Sequence, residues 1–224
     1  MIDKKVNKAL EAGIAAYAKY ENIDSAAFVA AVKEAFQKEA PFMEKVEAMD
    51  KVFDDYQEFE EIREVVFDLL MINFFAEDVK KLEDDYLESP EWEQIEEDTI
   101  DRGTELLNIF LYLRECADES IEPELGDYLK EFLLVEEDEF QDEYRIYEKV
   151  IANQILVESD YSEIARVSKS VTPMEELYEL FYPLMAFFFE PNPSAQQVEE
   201  FASHAANRSY ETAIYEVIVN FNKQ

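Results

Sequence analysis

The sequence is poor in the residues that build several common kinds of site. It has one cysteine, Cys116, and one histidine, His204, among 224 residues. A single cysteine excludes an internal disulfide, and a single histidine excludes the two-histidine motifs of metalloproteases and di-iron bundles. We expect Cys116 to be a small buried hydrophobe and His204 to lie on the surface of a helix.

Glycine and proline are scarce too, with three and seven residues. Those numbers are too small for the many turns of a β-sandwich or for glycine-rich phosphate loops. Apolar residues between Phe53 and Leu70 step instead by three and four positions, and acidic residues fill the other face. Apolar helix centres recur roughly every 40 residues. The sequence therefore predicts an all-α fold of about eight to ten helices, either a multi-helix bundle or a short α-solenoid of stacked helical hairpins.

Capping patterns predict where several helices begin. Ser89 precedes a proline at the first position of a helix expected near 90. Residues 172–175 and 194–197 match the capping box and predict helices near 173 and 195. Pro183 lies inside an apolar helical pattern, so we expect it to kink that helix.

Domain boundaries are less marked than helix starts. The stretch from 42 to 89 has no glycine or proline, and we expect its helices to break near Ala76 to Val79, where an apolar run ends. We predict a single all-α domain over 1–224. It could be sub-divided into N-terminal helices (1–89), central helices (90–190) and a C-terminal helical cap (191–224).

Long apolar runs are also missing. Val65 to Ala76 and Tyr182 to Phe189 are the most apolar stretches, and both are too short to span a bilayer. The N-terminal residues lack the apolar segment of an export signal. Together with the single unpaired cysteine, these features predict a cytoplasmic protein without a membrane partner.

Positive charge is scarce, and the deficit is concentrated in one region. The chain has 20 basic and 54 acidic residues, a net charge of −34. Residues 51–160 carry −27 of that charge, whereas residues 1–50 carry −2 and residues 161–224 carry −5. An excess confined in this way indicates one acidic surface, which repels nucleic acid and attracts basic proteins.

Three stretches of that region, 54–61, 83–93 and 136–144, interleave acidic with aromatic residues. Carboxylates accept paired hydrogen bonds from arginine, and an exposed aromatic ring beside them offers a cation–π face. We expect Tyr86 and Trp92 to be exposed because they flank Pro90 at a helix junction. By helical phase we expect the other aromatics to lie in the core, namely Tyr56, Phe59, Phe140 and Tyr144. The predicted partner-binding residues are Glu83, Asp84, Asp85, Tyr86, Glu91, Trp92, Glu93, Glu136, Glu137, Asp138, Glu139, Asp142 and Glu143.

These features predict a non-catalytic protein that binds a basic macromolecule through its central acidic surface. The partner would be a basic nuclease, toxin or DNA-binding protein, bound as an immunity protein, an inhibitor or a DNA mimic would bind it. We expect no cofactor and no direct contact with nucleic acid. A helical scaffold that docks a peptide or helix in an apolar groove is the first alternative. The sequence leaves the oligomeric state open.

Two acidic motifs support a second alternative. Residues 60–64 read EExxE and residues 115–118 read ExxD, and this pair resembles the metal-binding motifs of the MazG-like all-α nucleotide pyrophosphohydrolases. The resemblance implies a Mg²⁺-dependent enzyme acting on nucleoside triphosphates, because magnesium takes oxygen ligands. On that resemblance the metal ligands would be Glu60, Glu61, Glu64, Glu115 and Asp118.

Overall fold

A computed structural model describes residues 1–77, 86, 88–136, 139–140, 146–175 and 177–223. These residues are mostly helical, which confirms the all-α prediction. They contain twelve α-helices, the shortest of five residues. The helices are α1 (Lys4–Glu21), α2 (Ala26–Gln37), α3 (Phe42–Asp55), α4 (Arg63–Glu77), α5 (Pro90–Asp98), α6 (Leu106–Glu119), α7 (Leu125–Leu133), α8 (Glu148–Ala152), α9 (Tyr161–Ser168), α10 (Phe181–Phe189), α11 (Ala195–His204) and α12 (Arg208–Asn222).

Two kinds of shorter element interrupt this succession. Turns of 3₁₀-helix occupy Gln57–Ile62 and Gln154–Glu158. The segments β1 (Leu134–Glu136) and β2 (Glu139–Phe140) form a small antiparallel pair, with Leu134 opposite Phe140.

The helices form a bundle in which α1 packs along α12. We call α1 and α12 the terminal pair. Gly13 of α1 faces Val217 of α12 so closely that a Cβ atom at Gly13 would overlap the valine side chain. In a solenoid each hairpin contacts only its sequence neighbours. The close pairing of the first and the last helix therefore identifies the bundle rather than the solenoid.

Aromatic side chains fill much of the core. Phe28 stacks on Phe59 with ring centroids 4.0 Å apart, and Phe201 lies between Tyr182 and Tyr215 at 4.4 Å and 4.2 Å. One hydrophobic cluster extends from α1 through α4, α6 and α10 to α12. Phe59 is thus buried as expected, whereas Tyr56 is only half-buried. The expectations for the side chains of Phe140 and Tyr144 fall outside what the structure describes.

Two of the three predicted helix starts are confirmed. The Ser89 hydroxyl caps α5 by accepting the Trp92 N–H at 3.2 Å. The Ser194 hydroxyl accepts the Gln197 N–H, and the Gln197 side chain accepts the Ser194 N–H at 2.9 Å, which is the reciprocal capping box.

The helix predicted near 173 is wrong. Glu175 accepts the Thr172 N–H as a capping box would, but its carboxylate also pairs with Lys149, and the described residues that follow form turns. The next helix begins only at Phe181. Pro183 therefore lies in the first turn of α10, where its missing N–H is not needed, and the predicted kink does not apply.

The predicted helix running from Phe53 to Leu70 is also wrong, because it is interrupted after Asp55. Arg63 bridges the interruption, since its guanidinium reaches Asp54 of α3 at 3.0 Å and Glu60 of the intervening 3₁₀ turn at 2.8 Å. The described part of α4 reaches Glu77, and the predicted break near Ala76 to Val79 runs into residues 78–85, which lie outside the described residues.

The cysteine and the histidine lie where the sequence indicated. Cys116 is buried on α6, and burial raises the pKa of its thiol. His204 is exposed at the end of α11. Among the helices of the described residues, none combines the length and the apolar character that crossing a membrane requires.

Candidate functional site

The structure describes part of the predicted partner-binding surface. Glu91 and Glu93 are exposed on α5, and Glu136 and Glu139 lie opposite each other in the β1–β2 pair. Seven of the predicted residues lie outside the described residues, namely Glu83, Asp84, Asp85, Glu137, Asp138, Asp142 and Glu143.

Tyr86 and Trp92 are half-buried rather than exposed. The Trp92 ring packs 5.2 Å from that of Phe75, and the Tyr86 ring lies 6.3 Å from that of Phe74. Burial, helped by Glu91, raises the pKa of Tyr86. The last turns of α4 carry two adjacent phenylalanines, and the two predicted aromatic contacts cover them instead of facing solvent.

Helix α5 is attached to the bundle through one narrow stripe. Trp92, Ile95 and Thr99 are its inward-facing residues at spacings of three and four, and the Thr99 hydroxyl donates to the Ile95 carbonyl at 2.7 Å. The remaining side chains of the helix are exposed, including five carboxylates: Glu91, Glu93, Glu96, Glu97 and Asp98.

The carboxylates of α5 repel one another. Glu93 lies three and four residues before Glu96 and Glu97, so three like charges share one helix face. Glu96, Glu97 and Asp98 also lie in the last turn, where the helix dipole disfavours negative charge. None of the five forms an ion pair with another described residue. The helix thus displays negative charge that nothing in the described structure compensates.

The same imbalance continues beyond α5. We call residues 88–127 the acidic segment, all of which the structure describes. It holds fourteen acidic residues and two arginines. Twelve of the acidic residues are exposed, while Arg102 and Arg114 are both half-buried. Throughout this segment, therefore, no exposed side chain carries a positive charge.

Arg102 is held inside the protein by its own contacts. Its guanidinium donates to Glu64 at 3.0 Å and to Asp50 at 3.1 Å, and it lies 4.7 Å from the centre of the Phe67 ring. These contacts tie the loop between α5 and α6 to α3 and α4. They leave the acidic segment without a cation on its surface.

Sequence reasoning missed two apolar side chains of the acidic segment. Ile100 is 79% exposed between Asp98 and Asp101, and Ile121 is 47% exposed beside Glu122. Both lie in loops, where hydrophobic periodicity gives no signal. Isoleucine side chains surrounded by carboxylates can add apolar contact to a surface that otherwise recognises charge.

The first acidic motif of the hydrolase alternative is engaged in other contacts. Glu60 accepts from Arg63, Glu61 accepts from Tyr17 and Asn207, and Glu64 accepts from Arg102 and from the Gly103 N–H. Glu115 and Asp118 are exposed on α6. No group of three or more metal-ligating side chains in the described residues has a geometry that could hold a metal ion.

A cleft of about 440 Å³ lies where the α5–α6 loop meets α4 and α12. Four glutamates line it around Arg102, namely Glu61, Glu64, Glu105 and Glu179. Each is already hydrogen-bonded: Glu105 accepts from Tyr147 at 2.7 Å, and Glu179 accepts from Tyr210 at 3.1 Å. The glutamates of the cleft therefore serve as hydrogen-bond acceptors between neighbouring parts of the fold, and the cleft is not an open metal site.

Beneath this cleft, Asp68 is buried on α4. It accepts both the N–H and the hydroxyl of Thr104, the latter at 2.6 Å. Burial raises the pKa of the Asp68 carboxyl well above its usual range, and the hydrogen bonds from Thr104 oppose that shift. With the Glu64–Gly103 contact, Asp68 fixes the loop that precedes α6.

A second hollow of about 460 Å³ lies beside the cleft, and Glu179 and Tyr210 line both. It contains Glu211, a carboxyl only 8% exposed. Sequence reasoning missed Glu211 because it lies in a stretch rich in β-branched and aromatic residues, where a single carboxyl gives no signal of its own.

Comparison with known proteins identifies no relative of this chain. No protein-family model matches the chain, and searches of curated proteins and of solved structures give no significant match.

Proposed function

We propose that this protein is a non-catalytic binding protein that engages a basic macromolecule through the acidic segment. The observation that carries the proposal is the distribution of charge: twelve exposed carboxylates and no exposed cation over residues 88–127. A basic nuclease, toxin or DNA-binding protein is the partner class that this surface complements, and the cytoplasm is the proposed location.

Charge repulsion within the segment supports this proposal. Like charges at spacings of three and four residues, and acidic residues at the end of a helix, each cost stability. A partner that presents arginine or lysine would remove that repulsion on binding. It would also associate quickly at low ionic strength, because complementary fields steer the encounter.

The shape of α5 supports an inhibitor or DNA-mimic mode of binding. Its inward stripe is narrow, so Glu93, Glu96 and Glu97 can face a partner together with little obstruction. Carboxylates presented along a helix can occupy the arginines and lysines with which a basic protein holds phosphates. Ile100, next to Asp101, would supply an apolar contact near the centre of such an interface.

The first experiment is a pull-down with the intact protein at about 50 mM and about 500 mM salt, which shortens the Debye length from about 14 Å to about 4 Å. We expect basic proteins to be retained at low salt and lost at high salt. The affinity of a captured partner is then measured for a variant with four neutralised residues, Glu93→Gln, Glu96→Gln, Glu97→Gln and Asp98→Asn.

A matched control removes four exposed charges from the N-terminal region. It carries Glu21→Gln, Glu34→Gln, Glu39→Gln and Glu47→Gln, all exposed positions. We expect the α5 variant to bind at least about tenfold more weakly, with a shallower salt dependence, and the control to bind nearly as the wild type does. If both variants lost the same affinity for the partner, binding would depend on net charge alone. The assignment of binding to the acidic segment would then be wrong.

The scaffold alternative rests on one observation. A groove of about 730 Å³ between α2 and α3 is lined by small apolar side chains such as Ala31, Ala48 and Val52, and also by four charged or polar residues, namely Lys33, Glu34, Gln37 and Lys38. A helix or peptide bound there would be held by apolar contact and would remain bound at high salt. Partners retained at both salt concentrations would favour this function. The hydrolase alternative has no comparable support, because Glu60, Glu61 and Glu64 are engaged in the contacts described above.

A further inference from the structure

We propose that the hollow between the start of α12 and the segment joining α9 to α10 binds a small alkylammonium group, with Glu211 as its counter-ion. This site is separate from the acidic segment and does not depend on the function proposed above.

The hollow has the form of a small-molecule site. Its volume of about 460 Å³ lies within the range usual for ligand pockets, and apolar side chains such as Val171 and Pro173 form part of its wall. Two tyrosines contribute aromatic surface: Tyr210 is buried, and Tyr178 is 42% exposed. Apolar walls with a few converging polar groups suit a ligand that has an alkyl body and one charged end.

Glu211 supplies the charged group inside this hollow. Its carboxylate accepts the Asn207 N–H at 3.2 Å, and no described side chain forms an ion pair with it. Burial raises the pKa of Glu211 to about 7, although hydrogen bonds from the N–H groups of Ala206 and Asn207 oppose the shift. A buried carboxylate with only backbone donors is stabilised by a cation that can enter beside it.

The other polar groups around the hollow favour an ammonium group over an anion. Glu179 lies on the wall and accepts from Tyr210, so a second carboxylate is near. Lys169 is the basic residue among the described lining, and it is exposed at the rim. A ligand carrying an ammonium group would contact Glu211 within the hollow, while Lys169 would stay in solvent.

Binding must then depend on pH in a defined way. The groups that face Glu211 are Lys169, Glu179, Tyr178, Tyr182 and Tyr210, and burial raises the pKa of Tyr182 and of Tyr210 further from neutrality. Burial brings the pKa of Glu211 itself to about 7. Because the ammonium pairs with the ionised form, the dissociation constant is expected to fall about tenfold from pH 6 to pH 8.

The test is an NMR shift titration of the intact protein with pentylammonium, and with 1-pentanol as its uncharged counterpart. We expect pentylammonium to bind at least about tenfold more tightly, with the largest shifts around Tyr178, Tyr210 and Ala206. The variant Glu211→Gln keeps an acceptor for the Asn207 N–H, and we expect it to lose both the preference for the amine and the pH dependence.

Two controls separate this site from non-specific attraction to an acidic protein. Glu200→Gln removes an exposed charge of α11 outside the hollow, and His204→Asn replaces the one histidine of the sequence. Both variants should bind pentylammonium as the wild type does. Equal binding of amine and alcohol, no binding of either, or an unchanged Glu211→Gln variant would overturn the proposal.

A further probe identifies the source of the ammonium group. Nα-acetyl-lysine amide carries the same alkylammonium on a peptide-like backbone. Affinity similar to that of pentylammonium would assign the hollow to a lysine side chain of another protein. Binding at least about tenfold weaker would assign it to a free amine.

Discussion

The terminal pair and the acidic segment differ both in burial and in the pairing of charge. Helix α12 buries eleven of its residues, whereas α5 buries Ile95 alone. On α1, Glu11 pairs with Lys33 and Lys19 pairs with Glu199. On α5 no carboxylate has an ion-pair partner among the described residues. Stability is thus concentrated in the terminal pair, and the acidic segment keeps an uncompensated surface that is available to a partner.

The largest expected difference concerns apolar contacts. Ile214 of α12 is fully buried, so Ile214→Ala should lower the free energy of unfolding by about 2–5 kcal/mol. Ile95→Ala on α5 should cost about 2 kcal/mol or less, because a helix attached by one stripe can shift to fill the cavity. Urea unfolding measures both values, and equal losses would contradict the contrast.

The second difference concerns pH and the anchoring of the acidic segment. Since burial raises the pKa of Asp68, the folded state keeps a proton that the unfolded state releases above about pH 4. That contribution lowers stability as pH rises, by up to about 1.4 kcal/mol per pH unit. Asp68→Asn removes it, so the stability of the variant relative to the wild type should increase from pH 4 to pH 7.

Asp101→Asn is the control for that experiment. Asp101 is exposed in the loop that Asp68 anchors, so its neutralisation should leave the pH dependence of unfolding nearly unchanged. If the Asp68→Asn variant were instead less stable than the wild type by the same amount at every pH, the pH argument would be contradicted. The role of Asp68 in stability would then lie in its hydrogen bonds with Thr104 and not in its ionisation.

The third difference can be measured with one substitution made at two positions. Gly13→Ala places a methyl group against Val217 in the terminal pair, and such overpacking costs about 1–3 kcal/mol, offset by up to about 1 kcal/mol of helix propensity. Gly126 on α7 has open space around it, so Gly126→Ala should stabilise the protein by about 0.5–1 kcal/mol. Thermal melting should show opposite signs, and the same sign at both sites would refute the close contact of α1 with α12.

The smallest difference concerns single surface charges. Glu11→Gln breaks the pair with Lys33 and should cost about 0.2–1 kcal/mol. Glu97→Gln relieves repulsion with Glu93 and should stabilise the protein by about 0.2–0.5 kcal/mol. Both effects should shrink in high salt, and a destabilised Glu97→Gln variant would indicate that α5 carboxylates are compensated after all.

The sequence predicts helices well where a local signal is sufficient. Ser89 and the Ser194–Gln197 box mark helix starts because capping depends on neighbouring residues alone. The same pattern fails at Thr172, where Glu175 contacts Lys149 of a distant helix. The break after Asp55 is bridged by contacts of Arg63 with Asp50 and Asp54, and no local pattern reports such contacts.

The candidate site shows the same limit. Exposed carboxylates at 91 and 93 follow from charge and helical phase, and they lie where the sequence places them. Trp92 was expected to be exposed because it flanks Pro90 at a helix junction, yet it packs on Phe75 at the end of α4. Ile100 and Glu211 escaped prediction for opposite reasons, since an apolar residue lies in a loop and an acidic residue lies in the core.

Pairing the first helix with the last has a consequence for how the chain folds. Gly13 and Val217 must come together for that contact to form. The interface therefore closes a loop of about 200 residues. Proteins dominated by distant contacts fold slowly. During synthesis the apolar face of α1 lacks α12 until the intervening residues have left the ribosome, so over that interval the nascent chain stays exposed to aggregation or available to chaperones.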